Sequence, residues 1–325
     1  MRPAGRSGHG RRTATQRNER RAEDIVIRPS YDGVMTDAGG ASLDGRSLVL
    51  AGGGLVGIGW EVGVLLGLRE AGAAMDRWDL IVGTSAGSVV GAALGTPDGL
   101  ERLAATDWVA YGQELASYMA ELDPAVVARV DELWFGAPDG PDGATRVEIG
   151  RLARAAVTGP AARFEAGIAS ILPDPDWPAT LRITAIDADD GSLRVFDAGS
   201  GVPLVKAVAA SCSVPAIFPP IAIDGHRYVD GGVRTGSGLD LAAGCRSVVG
   251  IAPVRQDGHG ERQLAGETAA LTSAGTEVFL IRPGSGPDVA FPLDSLNVMD
   301  LPDAVKAGRL AGVAQAAAVR RILEP

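Results

Sequence analysis

The chain has 325 residues, long for one domain yet within reach of a single large α/β domain with insertions, and ample for a sizeable core. Its hydrophobic fraction of 46% is that of a globular protein, and a formal charge of -10 argues against a nucleic-acid binder. Two cysteines, Cys212 and Cys245, make no disulfide framework and no Cys/His grouping has zinc spacing, so both are expected reduced.

Residues 1–45 are expected to be a disordered basic tail and linker. Residues 1–21 hold seven arginines against Glu19 alone, without apolar periodicity. Such a tail suits peripheral contact with an anionic membrane, but a solvating terminus or a misassigned start is the favoured reading. No apolar stretch of about 7 to 15 residues follows the arginines, so a secretory signal is not expected and cytoplasmic residence is the default, membrane-peripheral if the tail binds lipid.

Ser47 to Ala51 reads as a buried parallel strand, followed by glycines and a helix over Ile58 to Ala71. Leu80 to Val82 reads as the next strand and Ala86 to Leu94 as the next helix. Leu80 to Pro97 carries no charge and approaches the roughly 18 residues of a membrane span, but its Gly, Thr and Ser content argues for strand, turn and helix instead. Strand, glycine turn, helix, repeated, is the grammar of a parallel sheet covered by helices.

Leu100 to Leu133 changes to a helical pattern, with Trp108, Tyr111, Leu115, Tyr118 and Leu122 on one face. Core packing is the favoured reading of this stripe and an acyl-binding wall the alternative. Leu181 to Ala188 and Leu193 to Phe196 read as paired strands and Val202 to Ala210 as a helix. Ala222-Ile223 and Arg227 to Val229 make a hairpin about Asp224-Gly225. Ser247 to Ala252 and Val278 to Arg282 read as further strands, and Ala304 to Leu323 as a closing helix.

Gly52-Gly53-Gly54-Leu55-Val56-Gly57 follows a strand and opens a helix, as a dinucleotide-binding loop does. That use wants an acidic residue at the end of the second strand, whereas Asp76 and Asp79 precede it. The other use is an oxyanion hole, in which backbone N–H groups at a helix start converge on a developing alkoxide. Gly83-Thr84-Ser85-Ala86-Gly87 matches G-x-S-x-G, the nucleophile elbow, although a tight turn with a helix-capping serine gives the same letters.

A serine nucleophile needs a base. His9 lies in the tail, His259 in a polar loop, and His226 on a hairpin strand where a structural role is favoured. Asp230, in Tyr228-Val229-Asp230-Gly231-Gly232, is the better candidate, a carboxylate at a strand end followed by two permissive glycines; alone the stretch would read as a turn. Unperturbed, a carboxylate base titrates near 4 and an imidazole near 6.5.

The glycine loop, GTSAG, the run Ala209-Ala210-Ser211-Cys212-Ser213-Val214-Pro215-Ala216-Ile217-Phe218-Pro219-Pro220 and Asp230-Gly231-Gly232, in that order, resemble the patatin-like phospholipases. The resemblance covers about Ser47 to Val254. It implies a three-layer α/β/α hydrolase with a mainly parallel central sheet, residues 46–325 forming the domain with a helical insertion at about 98–178. It implies a serine acyl hydrolase of lipid esters or phospholipids with a Ser-Asp dyad, no catalytic histidine, and no metal or organic cofactor. By motif, Ser85 is the nucleophile, Asp230 the proton acceptor, and Gly52, Gly53, Gly54 and Leu55 the oxyanion hole, supported by Gly57, Gly83, Gly87, Gly231 and Gly232. Many members carry Arg or Lys where this chain has Val56, which leaves backbone donors and the helix end to hold the oxyanion. The reading from another class is a catalytically silent lipid- or nucleotide-binding protein on the same fold.

Overall fold

The structure, a computed structural model, describes residues 1, 45–119, 122–137, 139–172, 174, 176–254, 260–284 and 296–324. The tail, His9 and His259 lie outside the described residues. Among the described residues there are eight strands: β1 (Arg46–Leu50), β2 (Leu80–Gly83), β3 (Leu181–Asp187), β4 (Leu193–Phe196), β5 (Ile221–Ile223), β6 (His226–Asp230), β7 (Ser247–Ile251) and β8 (Glu277–Ile281). Ten α-helices accompany them in the same residues: α1 (Gly54–Glu70), α2 (Ala86–Ala93), α3 (Gly99–Ala104), α4 (Trp108–Met119), α5 (Pro124–Phe135), α6 (Gly143–Ala155), α7 (Ala161–Ile171), α8 (Leu204–Ser211), α9 (Glu261–Ser273) and α10 (Leu301–Leu323).

β3, β2, β1, β7 and β8 pair in parallel in that order, and β4, β5 and β6 are antiparallel additions at the β3 end. Side chains alternate across the sheet, as the strand period requires. Leu48, Leu50, Ile81 and Ile251 face the layer that holds α1, α2, α4, α7, α8 and α10. Val49, Val82 and Val248 face α9, while Ile186 and Val229 face α5 and α6. This is a three-layer α/β/α fold.

α1 is buried along nearly its whole length between the sheet and α10. The two helices cross backbone to backbone: a Cβ on Gly63 would sit 2.1 Å from the Val305 carbonyl oxygen, and one on Gly308 2.1 Å from that of Trp60. α1 begins at Gly54, four residues before the expected Ile58, because the glycine loop itself enters the first helical turn. α9 is not signalled by the sequence pattern; it buries only Leu264 and Leu271, too sparse an apolar face to register as periodic.

β3 has three partners and only two edges. β4 overlaps the register of both β2 (at Ile183) and β6 (at Ala185 and Ile186), so β4 holds one edge while β2 and β6 share the other. β2 runs beside Leu181–Ile183 and ends; β6 comes from the opposite direction beside Ala185–Asp187 and ends. The two strand ends therefore meet within one lane of the sheet.

Candidate active site

Thr84-Ser85 comes directly after β2, and Asp230 is the last residue of β6. Gly83 pairs with Ile183 and Asp230 with Ala185, so a single residue of β3, Thr184, separates the strand ends. Thr84 and Thr184 join hydroxyls at 2.7 Å. The Ser85 side chain comes near enough to the Asp230 carboxylate to favour its charged form.

Ser85 has φ 52° and ψ -117°, a strained conformation for a residue with a Cβ, and directly precedes α2. Its neighbours must be small: a Cβ on Gly87 would lie 2.1 Å from the Leu50 carbonyl oxygen, and one on Gly83 2.6 Å from that of Gly87. Side chains from the end of α8 brace the turn. The Ser85 N–H donates to Ser211 Oγ at 2.8 Å, and the Ser85 carbonyl accepts from Ser88 Oγ at 2.7 Å and from the Cys212 thiol at 3.4 Å. Burial pushes that thiol up to about 12 and keeps it protonated.

Asp230 is buried, and loss of solvent pushes its carboxyl up to about 7. The Gly232 N–H, donating to Oδ1 at 2.7 Å, and Ser85 pull the other way without cancelling the rise. The Asp230 N–H is held by the Ser213 carbonyl at 2.9 Å, and Trp134 Nε1 of α5 donates to the Gly232 carbonyl at 3.0 Å. Gly231 packs so tightly on Thr184 that a Cβ would lie 2.1 Å from its hydroxyl.

Gly52 approaches the serine closely, a Cβ built on it falling 3.5 Å from Ser85 Cβ. Its N–H, however, is committed to the Gly236 carbonyl at 2.8 Å. Gly53, Gly54 and Leu55 are different: they open α1, where the first N–H groups have no intrahelical acceptor. Gly57 packs against Ala86 and Pro253, and Val56 is fully buried in the core.

A narrow apolar crevice starts at Ser85 and runs between α1, α4, α7 and the segment after α8. Leu55, Ile58, Val89, Tyr111, Leu115, Phe164, Ile168, Ile171, Val214 and Phe218 are among its walls. The α4 stripe thus divides: Tyr111 and Leu115 line the crevice, Trp108 and Tyr118 pack in the core, and Leu122 lies beyond the end of the helix. A larger surface cavity of about 570 Å³, between α9 and β8, contains none of the motif residues.

His226 is at the opposite end of β6 from Asp230, with Nδ1 2.8 Å from Asp187 Oδ2 and an exposed ring. Asp79 accepts the Arg46 N–H at 2.8 Å at the start of β1, the end of the sheet away from the glycine loop, where it could not meet a ribose. Among the described residues no group of His, Cys, Asp or Glu is arranged to hold a metal. No helix among them is long and apolar enough to cross a membrane, and the uncharged stretch from Leu80 forms β2, the elbow and α2.

The patatin-like phospholipase family profile matches residues 48–243, more than half of the chain. The chain belongs to the patatin-like phospholipase family. Membership carries with it lipid acyl hydrolysis as the kind of chemistry. Among solved structures, VipD from Legionella pneumophila is similar over 86% of this chain and 67% of that one, with 13% identity and a TM-score of 0.38. The type III effector protein ExoU is similar over 85% of this chain and 53% of that one, at 13% identity and a TM-score of 0.36, so the chain spans about half of its length. No curated protein sequence matches the chain.

The roles of Ser211, Ser213, Trp134 and Gly236 were not evident from sequence. The run Ala209–Pro220 marks the family, but that it braces the serine with one residue and the aspartate with another emerges only from the fold.

Proposed function

We propose that this chain is a serine acyl hydrolase of lipid esters working through a Ser85–Asp230 dyad. The observation that carries the reading is the meeting of Ser85, at the strained elbow after β2, with the buried Asp230 at the end of β6, with an apolar crevice opening at the same serine. Ionised Asp230 takes the hydroxyl proton as Ser85 Oγ attacks the acyl carbonyl carbon. The N–H groups of Gly53, Gly54 and Leu55 and the positive end of α1 hold the oxyanion, each such donor being worth about 3 to 4 kcal/mol in the transition state. Collapse expels the alcohol, which leaves with the proton from Asp230. Water then loses a proton to Asp230 as it attacks the acyl-enzyme, and collapse frees the fatty acid and Ser85 Oγ, which takes that proton back from Asp230. Gly52 serves by close approach, since its own N–H is taken.

The crevice favours an acyl chain over a polar head group as the recognised part of the substrate, because its walls offer almost nothing but hydrocarbon. Val56 is buried and uncharged, so the glycine loop itself carries no side-chain cation to select an anionic head group.

The test is labelling by a fluorophosphonate together with fatty-acid release from a panel of ester lipids. Stoichiometric labelling of Ser85, with turnover abolished in a folded Ser85→Ala protein, supports the reading. A folded wild-type protein that neither labels nor hydrolyses any ester would instead be the silent binding protein.

A further inference from the structure

Arg234–Asp240, the loop that leaves the Asp230-Gly231-Gly232 turn, is tied at several points. Arg234 Nη1 and Nη2 donate to Asp240 Oδ2 and Oδ1 at 2.9 and 2.7 Å across its base. Within it the Gly238 N–H donates to Thr235 Oγ1 at 3.1 Å and the Leu239 N–H to Ser237 Oγ at 3.2 Å. α9 reaches it with two side chains: Gln263 Nε2 donates to the Arg234 carbonyl at 3.3 Å, and the Glu267 carboxyl accepts from the buried Ser237 hydroxyl. On its other side the loop meets the candidate site, where Gly236 takes the Gly52 N–H through its carbonyl and Gly238 lies against Thr84.

A continuous path therefore runs from α9 to the glycine loop: Glu267 to Ser237, one residue along the backbone to the Gly236 carbonyl, and from there to Gly52, which is beside Ser85 and leads into the donors of α1. We propose that Glu267 is a positioning residue for the oxyanion loop, acting through Ser237 and Gly236 on Gly52. This rests on reading Gly53–Leu55 as the oxyanion donors. The physical ground is that such donors help only if they are in place before charge develops, and a misplacement of about 1 Å costs on the order of 100-fold in rate. Gly52 has no side chain to wedge it in place, so its backbone bond to Gly236 sets its position. A carboxyl oxygen of Glu267 accepts from the Ser237 hydroxyl whether the group is ionised or neutral, and where it is ionised the bond is about twice as strong as one between neutral groups, which suits Glu267 to anchor a loop of glycines. Glu267 adds no apolar contact to the core, which α9 reaches through Leu264 and Leu271.

The experiment compares wild type, Glu267→Leu, Glu267→Gln and Ser237→Ala for melting temperature, for kcat and KM on a short p-nitrophenyl ester, and for backbone amide exchange in residues 51–57. Glu267→Leu and Ser237→Ala are expected to lower kcat about ten-fold, a fraction of the cost of misplacing a donor fully. KM should stay within about two-fold, because the acyl crevice is untouched, and exchange in 51–57 should quicken. Glu267→Gln is expected to restore most of the rate, since its amide oxygen accepts from the same hydroxyl. Unchanged exchange in 51–57 of Glu267→Leu overturns the proposal, as does a loss of kcat that follows the melting temperature and is not rescued by Gln. Should wild type neither label with fluorophosphonate nor turn over, the hydrolase reading fails, and amide exchange alone still decides whether Glu267 holds the loop.

Discussion

Ser211 holds the backbone N–H of Ser85 through its side-chain oxygen at 2.8 Å, and two residues later the Ser213 carbonyl holds the N–H of Asp230 at 2.9 Å. One short stretch at the end of α8 thus sets the spacing between the nucleophile and its base. Ser211→Ala would leave the N–H of a strained residue buried without an acceptor, at a cost of about 1 to 3 kcal/mol. The turn is expected to relax and the hydroxyl to leave its line to Asp230. The rate of fluorophosphonate labelling should fall about 10- to 100-fold, with circular dichroism unchanged. Labelling at the wild-type rate would mean that Ser211 does not hold the elbow.

Glu61 presents a second consequence of burial. It is fully buried in α1, neither carboxyl oxygen has a full hydrogen-bond partner, and loss of solvent raises its pKa well above the carboxylate range against a weaker opposing contact with the Ala51 backbone. An unpartnered buried polar group costs about 1 to 3 kcal/mol. Glu61→Met, close in volume and apolar, is expected to raise stability by about that amount in urea unfolding with an unchanged m-value. A lower midpoint would show that the carboxyl is better satisfied than its surroundings suggest.

Much of this was legible from residue pattern. Apolar runs bounded by glycines locate the strands, because a strand buried on both faces is hydrophobic throughout. G-x-S-x-G and Asp-Gly-Gly stand out because only glycine fits beside a strained serine or against Thr184. What pattern does not encode is the lane that β2 and β6 share along β3, which brings Ser85 and Asp230 together from positions 145 residues apart. Nor does it show that the Gly52 N–H is already bonded, since the acceptor, Gly236, belongs to a loop without periodicity. The glycine spacing on α1 and α10 signals their close crossing only once both helices are known to be neighbours.

The aromatic stripe on α4 gives the next expectation. Phe164 and Phe218 stack with centroids 4.6 Å apart and both line the crevice, while Tyr118 meets each edge-on from behind. Phe164→Ala removes a wall and should raise the ratio of kcat/KM for long over short acyl esters by about ten-fold, the scale on which a hydrophobic pocket discriminates methylenes. Tyr118→Ala removes support without opening the wall. It should cost on the order of 3 kcal/mol of stability and leave that ratio within about two-fold. The reverse pattern in ester profiling would assign Tyr118, not Phe164, to the acyl wall.

The last expectation concerns Asp230 and pH. With its carboxyl pushed up to about 7, the unperturbed limb near 4 is displaced into the range of an imidazole, so a pH–rate profile rising through about 7 is expected of the dyad and does not by itself implicate histidine. Stability follows from the same shift. Below about 4 the carboxyl is protonated in both folded and unfolded chains and costs nothing. Between about 4 and 7 the unfolded chain has released the proton while the folded protein still binds it, so stability falls as pH rises; above 7 the loss is complete. Three pH units correspond to a ceiling of about 4 kcal/mol. Asn at 230 keeps an oxygen for the Gly232 N–H but neither titrates nor accepts the serine proton. Asp230→Asn is therefore expected to abolish turnover, to gain a few kcal/mol over wild type at pH 8.5, and to gain little at pH 4.5. Taking the difference between variant and wild type at each pH removes the contribution of Glu267, whose carboxyl burial also pushes up to about 7. Turnover above about one per cent in the folded variant would remove Asp230 as the base, and an equal stability difference at both pH values would mean that its carboxyl is ionised throughout.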